Sequence, residues 1–101
     1  METNCTGEDR VLRVALTGEV DHHRARALME GIDREIGLRL PRQVTLDLGG
    51  VTFMDSSGIA VLLRAYKSAG RQGGTVTVVN VPEQAGRVLR TAGLQKLLRF
   101  A

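Results

Sequence analysis

Apolar and polar positions change period in the middle of the chain. From Val44 to Leu48 they alternate: Val44, Leu46 and Leu48 are apolar, Thr45 and Asp47 polar. A period of two with β-branched residues predicts a half-buried strand. From Ile59 the period lengthens. Ile59, Leu62, Leu63 and Tyr66 fall at i, i+3, i+4 and i+7, the spacing of an apolar helix stripe. Between the two lies Asp55-Ser56-Ser57-Gly58, so two small hydroxyls sit where a strand hands over to a helix.

The same reading extends outward. Residues 1–9 are polar and carry Gly7; they predict a frayed end or a short edge strand leading into a turn at Gly7-Glu8-Asp9. Val11 to Leu16 alternates, with Leu12, Val14 and Leu16 opposite Val11, Arg13 and Ala15. Thr17 to Asp21 reads as a turn into a helix, with Asp21 as its N-cap. Ala25, Leu28, Met29, Ile32 and Ile36 then recur at helical spacing, and Glu30 with Arg34 forms an acid-before-base i,i+4 pair. Gly37 is the expected C-cap, and Pro41 bars continuation. Gly70 closes the second helix, with 71–74 as a loop, and Thr75 to Val79 is a β-branched strand. Pro82 suits the first turn of a third helix with Ala85, Val88, Leu89 and Ala92 as its stripe and Gly93 as its C-cap. Leu97 to Phe100 is a last short strand. Strands alternating with helices predict an α/β fold with a largely parallel sheet joined by right-handed crossovers.

Composition narrows the class without changing this picture. A chain of 101 residues that is 43% hydrophobic and 25% charged is long enough for one core, and residues 10–101 read as a single domain. Aromatics are three in number, Phe53, Tyr66 and Phe100, so the core is aliphatic. The net charge of +3 comes from arginines spread among acids, the pattern of a solvated surface and not of a nucleic-acid footprint. Cys5 is the sole cysteine, which excludes an intrachain disulfide and suits a reducing cytoplasm. No apolar run approaches the ~20 residues of a membrane span, and no signal peptide is recognisable; a cytoplasmic protein without membrane attachment is expected.

The handover at residues 55–58 carries the candidate chemistry. A helix start exposes unpaired N–H groups and the positive end of the dipole. Ser56 and Ser57 there have two readings that capping alone leaves open. Either serine can cap the helix, or a phosphate placed on one meets a site suited to an anion. Gly58 leaves the backbone unobstructed for a partner. Arg64 and Lys67 flank the exposed side of the helix as solvated charges. His22 and His23 are adjacent and point apart on a helix, so no metal site is expected. Serine, histidine and aspartate are present without a G-x-S-x-G elbow, and the Gly49-Gly50 and Gly73-Gly74 pairs lack a following Lys-Ser/Thr. Neither hydrolysis nor nucleotide binding has motif support, and no cofactor is expected.

Phe53-Met-Asp-Ser-Ser-Gly-Ile59 resembles the signature of bacterial anti-sigma-factor antagonists, which are single STAS domains; so does Leu16-Thr-Gly-Glu-Val-Asp-His-His23. Gly73-Gly74 before a Val-rich strand and Ala92-Gly-Leu94 fit the same order, over about Val11 to Phe100. The resemblance implies a STAS fold: a small mixed sheet, mostly parallel, with helices packed mainly on one face. The family's usual C-terminal helix is expected to be absent or vestigial, since the sequence stops just past the last strand. It further implies a protein that is not itself an enzyme. Unphosphorylated, it would bind an anti-sigma factor that is also a serine kinase, freeing the sigma factor. Phosphorylation of Ser56, the first serine after the Asp, would dissolve the complex, and a PP2C-type phosphatase would reset it. Glu19, Asp21, Asp55, Ser57 and Gly58 are the expected partner-binding residues. Two other classes stand beside this one: a scaffold or transport-associated STAS domain without a phospho-switch, and a nucleotide-sensing one.

Overall fold

The computed structural model describes residues 1–6 and 10–101, so the expected turn at Gly7-Glu8-Asp9 lies outside the described residues. In chain order the elements are β1 (Glu2–Thr6), β2 (Val11–Val20), α1 (His22–Arg39), β3 (Gln43–Met54), α2 (Ser57–Gly70), β4 (Thr75–Val79), α3 (Glu83–Thr91), a 3-10 turn (Leu94–Lys96) and β5 (Arg99–Phe100). The strands form one sheet in the order β1-β2-β3-β4-β5. β1 runs antiparallel to β2, and every other neighbour is parallel. Parallel neighbours need a long connection between them, and α1, α2 and α3 with its 3-10 turn supply it.

The alternation read in the sequence decides which sheet face is covered. Leu12, Val14 and Leu16 of β2, Val44, Leu46 and Leu48 of β3, and Val76 and Val78 of β4 are all buried. Their neighbours on the opposite face, Arg13, Ala15, Asp47 and Thr77, are exposed or half-buried. The helices therefore lie on one face. α1 contributes Ala25, Leu28, Ile32 and Ile36 to the core, α2 contributes Val61, Leu62, Ala65 and Ala69, and α3 contributes Ala85 and Leu89. On the open face Arg13 Nη2 donates to Asp47 Oδ2 at 2.7 Å, linking β2 to β3. Asp47 Oδ1 accepts from Asn80 Nδ2 at 3.1 Å and from the Gly49 N–H at 2.9 Å.

Several expectations are corrected. Thr17 to Val20 is strand, not turn. β3 runs on beside it to Met54, giving Thr17↔Gly50 through Val20↔Met54 as register partners, with shifts after Ala15 and Gly18. Gly18 sits at φ 75°, a left-handed conformation that a glycine adopts freely, so the strand kinks without ending. α1 passes Gly37 and stops two residues later. Leu40 caps it at φ 48°, its N–H bonded to the Ile36 carbonyl, because the following Pro41 excludes a helical conformation at residue 40. Glu30 pairs with Arg26 at 3.2 Å and not with Arg34. The last strand is the two residues of β5, Leu94–Lys96 having formed the 3-10 turn.

The buried stripe of α2 also differs from the expected one. It is Val61, Leu62, Ala65, Ser68 and Ala69, rotated away from Ile59, Leu63 and Tyr66; Tyr66 is 39% exposed. The small side chains face inward and let α2 approach both the sheet and α1. Ser68 is buried there because α1 supplies an acceptor: Asp33 accepts from the Ser68 hydroxyl and from Arg64 Nη1 at 2.6 Å. Arg64 is thus an inter-helix anchor and not a solvated charge. Burial pushes the Asp33 carboxyl up, but the Ser68 and Arg64 hydrogen bonds outweigh it and hold it below its ordinary value of 3.8.

Leu62→Ala is expected to cost about 3 kcal/mol and Tyr66→Ala less than about 1 kcal/mol, measured by urea unfolding. The opposite order would show that the large apolar residues set the buried face. Asp33 and Asp47, the latter held down first by the Gly49 N–H and then by Asn80 and Arg13, both have lowered pKa values. A carboxyl whose folded pKa is depressed contributes stability above its unfolded pKa and loses it as pH falls through the folded value. Stability is therefore expected to drop below about pH 3.8. The Asp33→Asn, Asp47→Asn double variant is expected to be weaker at pH 7 and to show a smaller drop between pH 7 and pH 3.

Candidate functional site

The segment from Met54 to Ser57, which carries Ser56, is where β2, β3, α1, α2 and α3 meet. β3 outruns β4, whose register partners stop at Asp47, so the far end of β3 has no strand on that side. Gln84, in the first turn of α3, takes the place of one. Its Oε1 accepts from the Met54 N–H at 2.8 Å, and its Nε2 donates to the Met54 carbonyl at 2.7 Å. On the other side Val20 pairs with Met54, and its carbonyl accepts from the Asp55 N–H at 3.2 Å. Met54 and the Asp55 that follows it are therefore held from both flanks.

Asp55 then joins two helix starts. Its Oδ1 accepts from the Ser57 N–H at 2.7 Å, its Oδ2 from the His22 N–H at 3.3 Å. The first bond is an Asx turn that caps α2; the second reaches the first residue of α1. The Ser57 N–H does most to hold the Asp55 carboxyl below its ordinary range, with smaller help from the Ser57 hydroxyl and from His22. Asp21 caps α1 as expected, Oδ1 accepting from the Arg24 N–H at 3.1 Å. Arg24 in turn donates to the carbonyls of Thr17 at 2.7 Å and Glu19 at 2.6 Å, tying the end of β2 to α1.

With Asp55 as cap, Ser56 has no capping work. Its backbone is already helical, φ −61° and ψ −18°, whereas a capping side chain needs an extended backbone. Ser56 is exposed and makes no side-chain cap hydrogen bond. Ser57 is half-buried. The geometry offers an exposed hydroxyl, a position where two sets of helix N–H groups converge, and a carboxylate committed to those N–H groups instead of to the serine. That arrangement suits a hydroxyl acted on by another protein better than one activated from within.

The other expected residues fall as follows. Glu19 is exposed and is the register partner of Phe53, within the same end of the sheet. Gly58 is buried, and a Cβ there would run into the Met54 side chain. Its missing side chain serves the seating of α2 on β3. His22 and His23 are exposed, with ring centroids 5.8 Å apart. The sequence reading missed Arg24, Gln84 and Phe53. Phe53 is 44% exposed although aromatic, and only its place on the open side of the strand end reveals this. It also missed a groove of about 500 Å³ between α2 and α3, lined by Ser56, Ile59, Arg87, Val88, Thr91 and Ala92. Another surface cavity, of about 760 Å³, lies by the C-terminal half of α2, among Tyr66, Lys67, Thr75 and Leu97, away from Ser56.

The sequence pattern of the STAS domain matches residues 2–101. Over 88 residues, 87% of this chain and 75% of the relative, the chain is 38% identical to the anti-sigma F factor antagonist of Paenibacillus polymyxa. The chain belongs to the anti-sigma-factor antagonists, a family of STAS domains. The unphosphorylated form of the anti-sigma factor antagonist SpoIIAA matches this STAS domain with a TM-score of 0.82 at 21% identity, covering 99% of this chain and 86% of the other. The phosphorylated form of Bacillus SpoIIAA matches with a TM-score of 0.73 at 21% identity, covering 99% and 89%. At that identity the likeness is one of fold.

Gln84→Ala is expected to destabilise this STAS domain by about 1–3 kcal/mol, the cost of two orphaned backbone groups. Amide hydrogen exchange should quicken most at Met54 and Asp55. Uniform quickening across the sheet would show that Gln84 is an ordinary helix residue.

Proposed function

We propose that this STAS domain is a phosphorylation-switched antagonist of an anti-sigma factor, with Ser56 as the switch. Unmodified, it binds the anti-sigma factor and frees the sigma factor. The anti-sigma factor is also a serine kinase: the Ser56 hydroxyl oxygen attacks the γ-phosphorus of ATP, the bond to ADP breaks, and a base on the kinase takes the hydroxyl proton. A PP2C-type phosphatase resets the switch, water attacking phosphorus and releasing phosphate. The observation that carries this reading is Ser56 itself, an exposed hydroxyl freed from capping because Asp55 does that work. The existence of SpoIIAA, a protein of the same fold, in unphosphorylated and phosphorylated forms supports it. Ser57 is the poorer acceptor because it is half-buried against Asp55.

Physics places the effect of the phosphate at the surface. It adds about −1.5 to −2 charge at neutral pH. The helix starts favour that charge, and Asp55 opposes it. The fold is left intact, while a partner packed on Ser56 meets a bulky dianion. Glu19, Asp21, Asp55, Ser57 and Gly58 build the face around the serine; Glu19 and Phe53 present the exposed side chains, and the rest hold them in place.

Incubation with ATP, Mg²⁺ and candidate anti-sigma factors, followed by mass spectrometry, is expected to place one phosphate on Ser56 and none on Ser56→Ala. Circular dichroism should not change, and partner affinity should fall at least about a hundredfold, near 3 kcal/mol. A phosphate on Ser57 would move the switch by one residue. A stable complex with no phosphate from any kinase would leave a scaffold role in place of the switch.

A further inference from the structure

Arg87 shares the α2–α3 groove with Ser56, on the facing helix, and the rest of the lining is Ile59, Val88, Thr91 and Ala92. It is therefore the one charged side chain of that lining. Its ion pair is with Glu83 on its own helix, Nη1 to Oε1 at 3.6 Å, between side chains 63% and 85% exposed. A pair so long and so wet holds weakly, and Arg87 is free to leave it. The other arginines near the site are committed: Arg24 to the Thr17 and Glu19 carbonyls, Arg64 to Asp33. Arg90, one turn from Arg87, lines a different cavity with Gly86 and Gln95.

We propose that Arg87 is the internal ligand of the phosphate on Ser56, leaving Glu83 to pair with it across the groove. This rests on Ser56 being the modified residue. A guanidinium matches phosphate with two parallel N–H···O bonds, and the apolar floor of Ile59, Val88 and Ala92 offers the dianion no competing partner. The ionisable groups around the phosphate are then Arg87 across the groove with its helix partner Glu83, Asp55 beside it, and His22 at the start of α1, whose backbone N–H bonds Asp55. The pairing spans the groove, so modification alters the surface between α2 and α3 as well as the serine.

The test is a ³¹P NMR pH titration of the full chain carrying phosphoserine at position 56, introduced during translation so that no kinase is needed. The second pKa of the phosphate is expected to lie about half a unit or more lower in the parent than in Arg87→Gln. The difference should shrink at high salt, as for any exposed pair. Arg87→Lys should keep part of the shift, and Arg90→Gln, which removes the same charge from the same helix, should keep all of it. His22 and Asp55 are common to every variant and cancel in the comparison. Equal titration of the parent and Arg87→Gln, or an equal displacement by Arg90→Gln, would overturn the proposal. A kinase that ignores Ser56 would overturn the switch itself without touching this measurement, so the two failures are distinguishable.

Discussion

One carboxylate fixes the geometry of the exposed end of the sheet. Asp55 accepts from the first residue of α1 and from the first residue of α2, so the starts of two helices meet on one side chain. Helix starts that converge leave several N–H groups to satisfy within a small space. Each carboxylate oxygen accepts one of them, and the Asp55 backbone adds a bond to Val20 and another from the Gly58 N–H. Because the acid caps α2, the serine after it keeps a helical backbone and a hydroxyl that makes no capping bond. The exposure of Ser56 is thus a consequence of what Asp55 does.

That arrangement depends on how the strands end. β2 and β3 stay paired to Val20 and Met54, well past the point where β4 stops. A strand end paired on one side alone would fray, and here a helix side chain closes the other. Gln84 is suited to this because its carboxamide presents an N–H donor and a carbonyl acceptor side by side, as a peptide group does. The result couples α3 to the serine loop through a pair of hydrogen bonds and brings the α2–α3 groove up against Ser56.

The one-sided packing of the sheet explains the rest of the surface. With all three helices on one face, the other face is held by polar contacts across strands, Arg13 to Asp47 to Asn80, instead of by a second apolar layer. On the covered side, α1 and α2 are locked to each other by Asp33, Ser68 and Arg64 as well as by aliphatic packing. A polar contact of this kind fixes the rotation and axial position of one helix against another more narrowly than aliphatic side chains do.

The sequence by itself determined the strands at Val11, Val44 and Thr75, the helices between them, and the handover at Asp55-Ser56-Ser57-Gly58. Those follow from period and capping chemistry, which involve residues a few positions apart. It also carried the family, through motifs that are contiguous in the chain. Only the tertiary structure decided which face of α2 is buried, since Ala65, Ser68 and Ala69 face inward to meet α1 and the sheet, not because they are more apolar than Tyr66. Only it decided that Gly58 is there for Met54, that Phe53 is exposed, that Thr17 to Val20 remains strand, and that Gln84 grips Met54 from 30 residues away. Each of these depends on which neighbours the fold supplies. Local pattern says how a segment prefers to be built, and packing says which of its sides meets something.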